Sequence, residues 1–257
     1  MSETSTGTLP DRSYCGDGVV DSDEECDDGV ERNALEGACL PDCNLNVCGD
    51  GNLAPTEGCD DGEDDNVLEI GACAPDCSRI IETKELGISV SNGDGNFFPN
   101  PLGVADGLCP AGSKALLALP GQRQATNGTP YAADDPIDWP LQPYTAYVTA
   151  SNSIGPAGEL IWITDGTALL GVRDGRPVDL LRPIFASPQA PALGVATGMN
   201  ADWTNLLTDN CNGWQSDSPD AGGRVGSPAS TDEFLDDRDY NCSGSSTLGT
   251  LVYCVEQ

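Results

Sequence analysis

The second half of the chain repeats one hydrophobic pattern: KALLAL (114–119), YTAYVT (144–149), LIWIT (160–164), LLGV (169–172) and TLVYCV (250–255). Each run is short, and Gly, Pro, Asp and Ser punctuate the intervals. Runs of that length between turn-formers predict strands, and long helical periodicity is weak. Upstream, IIETKELGISV (80–90) alternates loosely before SNGDGNFFPNP breaks it, so 80–108 reads as a linker or first strand. Residues 15–77 show no such pattern. Val19, Val20, Leu35 and Leu40 are among the few apolar side chains of the stretch 15–47. A unit that small cannot offset its own ordering entropy by burial. The pattern therefore divides the chain into a flexible tail (1–14), two small units with little regular structure (15–47 and 48–79), the 80–108 segment, and a β-rich α+β domain (109–257). Trp139, Trp162, Trp203 and Trp214 are spaced along that domain, where tryptophan is expected in the core.

Something other than buried apolar surface must hold 15–77. CGDGVVDSDEECDDG (15–29) is answered by CGDGNLAPTEGCDDG (48–62). Cys15, Cys26, Cys39 and Cys43 align with Cys48, Cys59, Cys73 and Cys77, at spacings of 11, 13 and 4 against 11, 14 and 4. Disulfides closing loops of this size stabilise by roughly 2–4 kcal/mol each. Four cysteines allow three pairings. The close pairs, Cys39 with Cys43 and Cys73 with Cys77, are expected to bond elsewhere, and two patterns stay open. Disulfides persist in oxidising compartments, which predicts a secreted, periplasmic or cell-surface protein. No apolar run approaches the length of a membrane span. Met1 is followed by the polar SETSTGTLPDRS, so a leader, or a lipid-anchored leader, is expected to have been trimmed.

Charge narrows the partners. The chain carries 42 acidic and 11 basic side chains, a formal charge of -31. That surface repels nucleic acid and anionic membranes and favours cations or basic protein patches. There is no histidine, so no Ser-His or Cys-His catalytic pair can form. Neither a G-x-S-x-G elbow nor a phosphate-cradling glycine motif occurs. The expectation is a non-enzyme.

Within 15–77 stand 19 acids and a single base, Arg32. Calcium takes 6–8 oxygen ligands in irregular geometry and suits such a loop. One Ca²⁺ per repeat is expected, on Asp17, Asp27 and Asp28 with Glu24, and on Asp50, Asp60 and Asp61 with Glu57. The competing reading is that Asp-Gly pairs make turns and the other acids are solvated. Asn92-Gly-Asp94-Gly-Asn96 imitates an EF-hand opening, but Phe97 and Gly103 stand where glycine and glutamate are required. The acidic run Asp232–Asp239 reads as a solvated loop.

CGDG, then E-x-CDDG, then C-x3-C, twice in tandem, resembles the cysteine-rich repeats of myxobacterial surface proteins and, distantly, calcium-binding Lin-12/Notch-type repeats. This chain departs from that pattern at Val30 and Glu63, where the family has Asn, and at Gly37-Ala38-Cys39 and Gly71-Ala72-Cys73, where it has DGC. In the larger domain, Cys109 and Cys254 stand 145 residues apart; a bond between them would tie the domain's ends, and Cys211 with Cys242 would close an inner loop. That nested order resembles the C-type-lectin-like fold. PIDWPLQPYTAYV, TDGTALLGV, NADWTNL, DNCNGW and LVYCVEQ are similar to the leptospiral endostatin-like domain family, which implies a surface-exposed binding domain. The sugar-binding triplets of calcium-dependent lectins are absent.

These readings combine into a non-catalytic secreted or outer-surface adhesion protein. Its calcium-binding repeats are expected to form a stalk, and its lectin-like domain to present a face to an extracellular protein or glycan. The alternative is a structural subunit of an extracellular assembly, bridged to copies of itself by cations.

Overall fold

Backbone pairing decides which hydrophobic runs become strands. The computed structural model describes residues 14–89, 97, 99–151, 157–185, 194–208, 210–216, 218, 220–242 and 251–257. The EF-hand-like Asn92–Asn96 and the polar residues 1–13 lie outside the described residues. Contacts separate two units, Met1–Ile80 and Ile81–Gln257.

In the smaller unit, no helix or extended ladder forms among the described residues. Tight turns are pinned by two nested disulfides per repeat. Cys15 bonds Cys43 around Cys26–Cys39, and Cys48 bonds Cys77 around Cys59–Cys73. The close cysteines thus bond elsewhere, and the outer-with-outer pattern is the one adopted. Val19, Val20 and Leu35 are exposed, whereas Cys39, Cys43, Cys73 and Cys77 are fully buried. Sulfur occupies the place of an oily core.

In chain order the larger unit contains β1 (Thr83–Ile88), α1 (Pro101–Gly107), β2 (Ser113–Ala115), β3 (Ala146–Thr149), β4 (Leu160–Ile163), β5 (Val172–Arg173), β6 (Arg176–Pro177), β7 (Val195–Ala196), α2 (Cys211–Trp214), β8 (Gly222–Gly226), β9 (Arg238–Asn241) and β10 (Tyr253–Glu256). The main sheet runs β2-β10-β1-β3-β4, with a three-stranded sheet β7-β8-β9 and a hairpin β5-β6 beside it. β1 is the central strand, antiparallel to β10 and parallel to β3. β1 and α1, both drawn from the 80–108 segment, therefore belong to this unit. Cys109–Cys254 and the inner Cys211–Cys242 complete six disulfides, and no free cysteine is left among the described residues. The chain is thus a disulfide-rich protein of mostly small β-sheets with few helices.

Hydrophobic runs were better guides to burial than to pairing. Leu116, Leu117, Leu169 and Leu170 are fully buried, yet KALLAL pairs as strand only through Ala115 and LLGV only at Val172. Isolated bonds satisfy the rest: Leu116 N donates to Tyr253 O at 2.8 Å and Ala118 N to Thr197 O at 2.7 Å. Trp162, Trp203 and Trp214 are core residues, and the half-buried Trp139 packs edge-on against Trp203 at 5.8 Å. Cys211–Trp214 is a left-handed turn, with φ of 52, 56, 71 and 60. Such runs are costly for L-residues; the Cys211–Cys242 bond, the buried Trp214 and the Asn210 side chain, which accepts from Gly213 N at 2.9 Å, hold it.

Candidate functional sites: aspartate cages and an amide-lined groove

The repeated acidic motif builds an internal cage. Asp27 Oδ2 accepts the backbone N–H groups of Gly16 at 2.8 Å and Gly18 at 3.1 Å. Its Oδ1 accepts from Gly29 N at 2.8 Å and Asn33 Nδ2 at 3.3 Å. The second repeat copies this atom for atom: Asp60 takes Gly49 N at 2.9 Å, Gly51 N at 3.3 Å, Gly62 N at 2.7 Å and Asn66 Nδ2 at 3.2 Å. The glycines are there because each donor sits at positive φ: 100°, 87° and 89° in the first copy and 96°, 82° and 96° in the second. Asn33 and Asn66 close the cage from the other side, accepting from Asp28 N at 2.9 Å and Asp61 N at 2.8 Å.

Four donors use up the accepting capacity of a carboxylate. The lone pairs of Asp27 and Asp60 are thus committed to these four donors. The other expected ligands are spread over local turns. Asp17 Oδ1 accepts from Val19 N at 2.8 Å, and Asp50 Oδ1 from Asn52 N at 2.8 Å. Glu24 caps Asp21 N at 3.1 Å, and Glu57 caps Ala54 N at 2.9 Å. Asp61 Oδ2 receives Cys73 N at 2.8 Å. The tightest gatherings of acidic and sulfur atoms among the described residues are Cys15, Glu24 and Cys43, and Glu57, Asp60 and Cys77, each within 4.8 Å. Their sulfurs are spent in disulfides. With one or two carboxylates at each gathering, a calcium ion there would take most of its shell from backbone carbonyls, amide oxygens and water.

Electrostatics follow the cage. Burial raises the Asp27 carboxyl, but the N–H groups of Gly29, Gly16 and Gly18 and the Asn33 amide outweigh it and hold it below its ordinary value. Asp60 is held low in the same way, burial opposing and Gly62, Gly49, Asn66 and Gly51 prevailing. A depressed folded-state value means the stabilisation is complete above the unfolded value, about 3.9, and is lost as pH falls through the lower folded value. Acidification below about pH 4 should therefore loosen the repeats progressively. Amide hydrogen exchange at Gly16, Gly18, Gly49 and Gly51, corrected for intrinsic rates, should report it. Protection unchanged down to full protonation would contradict the cage.

The larger unit holds a groove of about 860 Å³. One wall is the turn 119–124, bridged to Ile137 through reciprocal Gln124–Ile137 backbone bonds of 3.0 Å each. This turn is fixed by Arg123, a buried guanidinium. Arg123 forks onto Asp106 (2.7 and 2.8 Å), bonds Asp138 twice (2.9 and 2.6 Å) and reaches Ala115 O at 2.9 Å. All five of its N–H donors are satisfied. Lys114 pairs with the same Asp138.

The other wall is the NADWTNL segment. Trp203, at φ 71°, is driven into the core against Trp139 and Phe234. Around it the turn is closed by Asn200 Nδ2 to Thr204 Oγ1 at 2.9 Å, and by Asp202 Oδ1 accepting from Thr204 N at 3.0 Å. The polar neighbours Asn200, Asp202, Thr204 and Asn205 are left lining the groove. Gly198 permits the approach: a Cβ there would lie 2.2 Å from Ala118 O.

Arg224 of β8 adds a cation to the lining, its Nε 2.7 Å from Asp236 Oδ1. Burial pushes the Asp236 carboxyl up, with Arg224 pulling against it. The run Asp232–Asp239 is thus more than a solvated loop: Phe234 and Leu235 are buried, and Asp236 braces the groove. Beside the groove, hydrogen bonds from Thr126, Thr129 and the Asn127 backbone push Asp134 down to about 2.

Among known proteins, residues 104–231 match a family model described as "Protein of unknown function (DUF1554)". The match begins within α1, ends past β8 and includes the groove-lining residues from Pro120 to Arg224. No curated protein matches the chain.

Proposed function

We propose that this is a non-catalytic binding protein of the extracellular type, whose larger unit is a C-type-lectin-like domain presenting an open groove to an extracellular protein or glycan. The observation that carries this reading is the groove: about 860 Å³, amide-lined, and braced from beneath by Arg123 and Trp203. Its size is that of a binding site rather than a packing defect. The lectin-like assignment is supported by the pairing of the unit's first and last strands and by the two nested disulfides. The six bonded cysteine pairs fit an oxidising, extracellular-type compartment.

We read the repeats as held from within, by disulfides and aspartate cages, and not by calcium. Chelator should leave their unfolding midpoint unchanged, and added calcium should not raise it. A bound ion at a hundredfold excess over its Kd would stabilise them by about 2.7 kcal/mol, a shift readily seen in a melt. Sedimentation velocity across the same calcium range separates this reading from a cation-bridged structural subunit. A monomer throughout supports the binding protein, whereas calcium-driven assembly supports the building block.

A further inference from the structure

The groove's unspent chemistry selects among ligands. Asp135 and Asp202 both line it, and neither meets a cation among the described residues. Arg224 does not balance them, because its Nε already lies 2.7 Å from Asp236 and 4.0 Å from Asp239. The lining is therefore net acidic, within a chain of formal charge -31.

Its amides are only half used. Gln124 is 5 % exposed, and its Oε1 accepts from Gly121 N at 2.9 Å, but its Nε2 donates to no described residue. Among the described residues Asn205 makes only long side-chain contacts through Nδ2, 3.5 Å each to Gln124 Oε1 and Thr126 O, and its buried Oδ1 has no partner. A buried acceptor without a donor costs free energy until a ligand or water supplies one. The rim adds the exposed aliphatic side chains of Ile137 and Leu207.

We propose that this groove takes an extended, basic polypeptide segment, a proposal that rests on the binding-protein reading above. A peptide backbone offers C=O to the Gln124 Nε2. Lysine or arginine heads meet Asp135 and Asp202 while their methylene stems lie along Ile137 and Leu207. A neutral saccharide fits less well. It gains nothing from the two carboxylates, and no aromatic ring among the described lining residues offers its apolar face a platform.

The test titrates the full-length protein with three fluorescent probes: the nonapeptide KLKLKLKLK, its counterpart ELELELELE, and a neutral chito-oligosaccharide. A polycation will adhere weakly to any acidic surface, so the control is a plug that leaves net charge unchanged. Asn127 is exposed at the groove, and Asn127→Trp fills it. The expected result is saturable one-to-one binding of the basic peptide alone, weakened about 10-fold or more by Asn127→Trp. Should that variant fail to fold by circular dichroism, Pro130→Trp, at another exposed lining position and again neutral, must give the same loss. Basic-peptide binding indifferent to both variants overturns the proposal. Saturable binding of the saccharide alone, lost on plugging, also overturns it but leaves the binding-protein reading standing. No saturable binding of any probe overturns both.

Discussion

Replacing Arg123 by alanine should destabilise the larger unit by about 3–5 kcal/mol. The loss comes less from the vanished attraction than from what is left behind. Asp106 and Asp138 would face each other across the emptied site with no guanidinium between them, and Ala115 O would lose its donor. In a unit of this size the drop in melting temperature is about 6–20 °C. Arg123→Lys should recover only part of it, because an ammonium cannot serve two carboxylates and a carbonyl with a planar fork. Thermal unfolding followed by tryptophan fluorescence reads the effect, since Trp139, Trp162, Trp203 and Trp214 all belong to this unit. An Arg123→Ala variant that melts with the wild type would show the buried network to be inert. Arg123 also fixes the turn that brings Gly121 and Gln124 to the groove, so ligand binding should weaken before the unit melts.

The second large effect belongs to the first repeat. Converting Cys15 and Cys43 together to serine opens a loop of 28 residues' separation. Chain entropy alone assigns that bond about 3.5 kcal/mol, against about 3 kcal/mol for Cys26–Cys39 with its shorter loop. A core-bearing domain could absorb such a loss. This repeat cannot, because Val19, Val20, Val30 and Leu35 are all exposed and contribute little burial. The expected outcome is unfolding of residues 15–47 with the second repeat intact, since its disulfides and cage are its own. Limited proteolysis should cut the first repeat rapidly and spare the second. Equal resistance of both repeats would contradict it.

What could be read from the sequence, and what could not, follows from how each feature is built. The repeats are local, so their cysteine register and the avoidance of the Cys39–Cys43 pairing were both visible in one window. The role of Asp27 was not, because an aspartate that accepts backbone N–H groups and one that ligates calcium are the same letter. The signal lay in its company. Gly16, Gly18, Gly29 and Asn33 recur with it as Gly49, Gly51, Gly62 and Asn66, and these are the glycine and asparagine donors that surround the carboxylate. The strands β1, β3, β4 and β10 were legible as hydrophobic runs. The buried Leu116–Leu119 and Leu169–Leu170, which lie outside the strands, were not separable from them, because burial and ladder pairing select the same residues. Arg123 gave no sign of burial within its polar GQRQ context. The groove draws on positions from 120 to 137, 200 to 208 and 224, so only the folded chain assembles it.

The account rests on cross-links standing in for a hydrophobic core in the repeats and closing the larger unit on itself. Digestion without reduction, followed by mass spectrometry of the linked peptides, addresses that most directly. It should return Cys15–Cys43, Cys26–Cys39, Cys48–Cys77, Cys59–Cys73, Cys109–Cys254 and Cys211–Cys242. Free thiols in residues 15–77, or a link between Cys39 and Cys43, would contradict it.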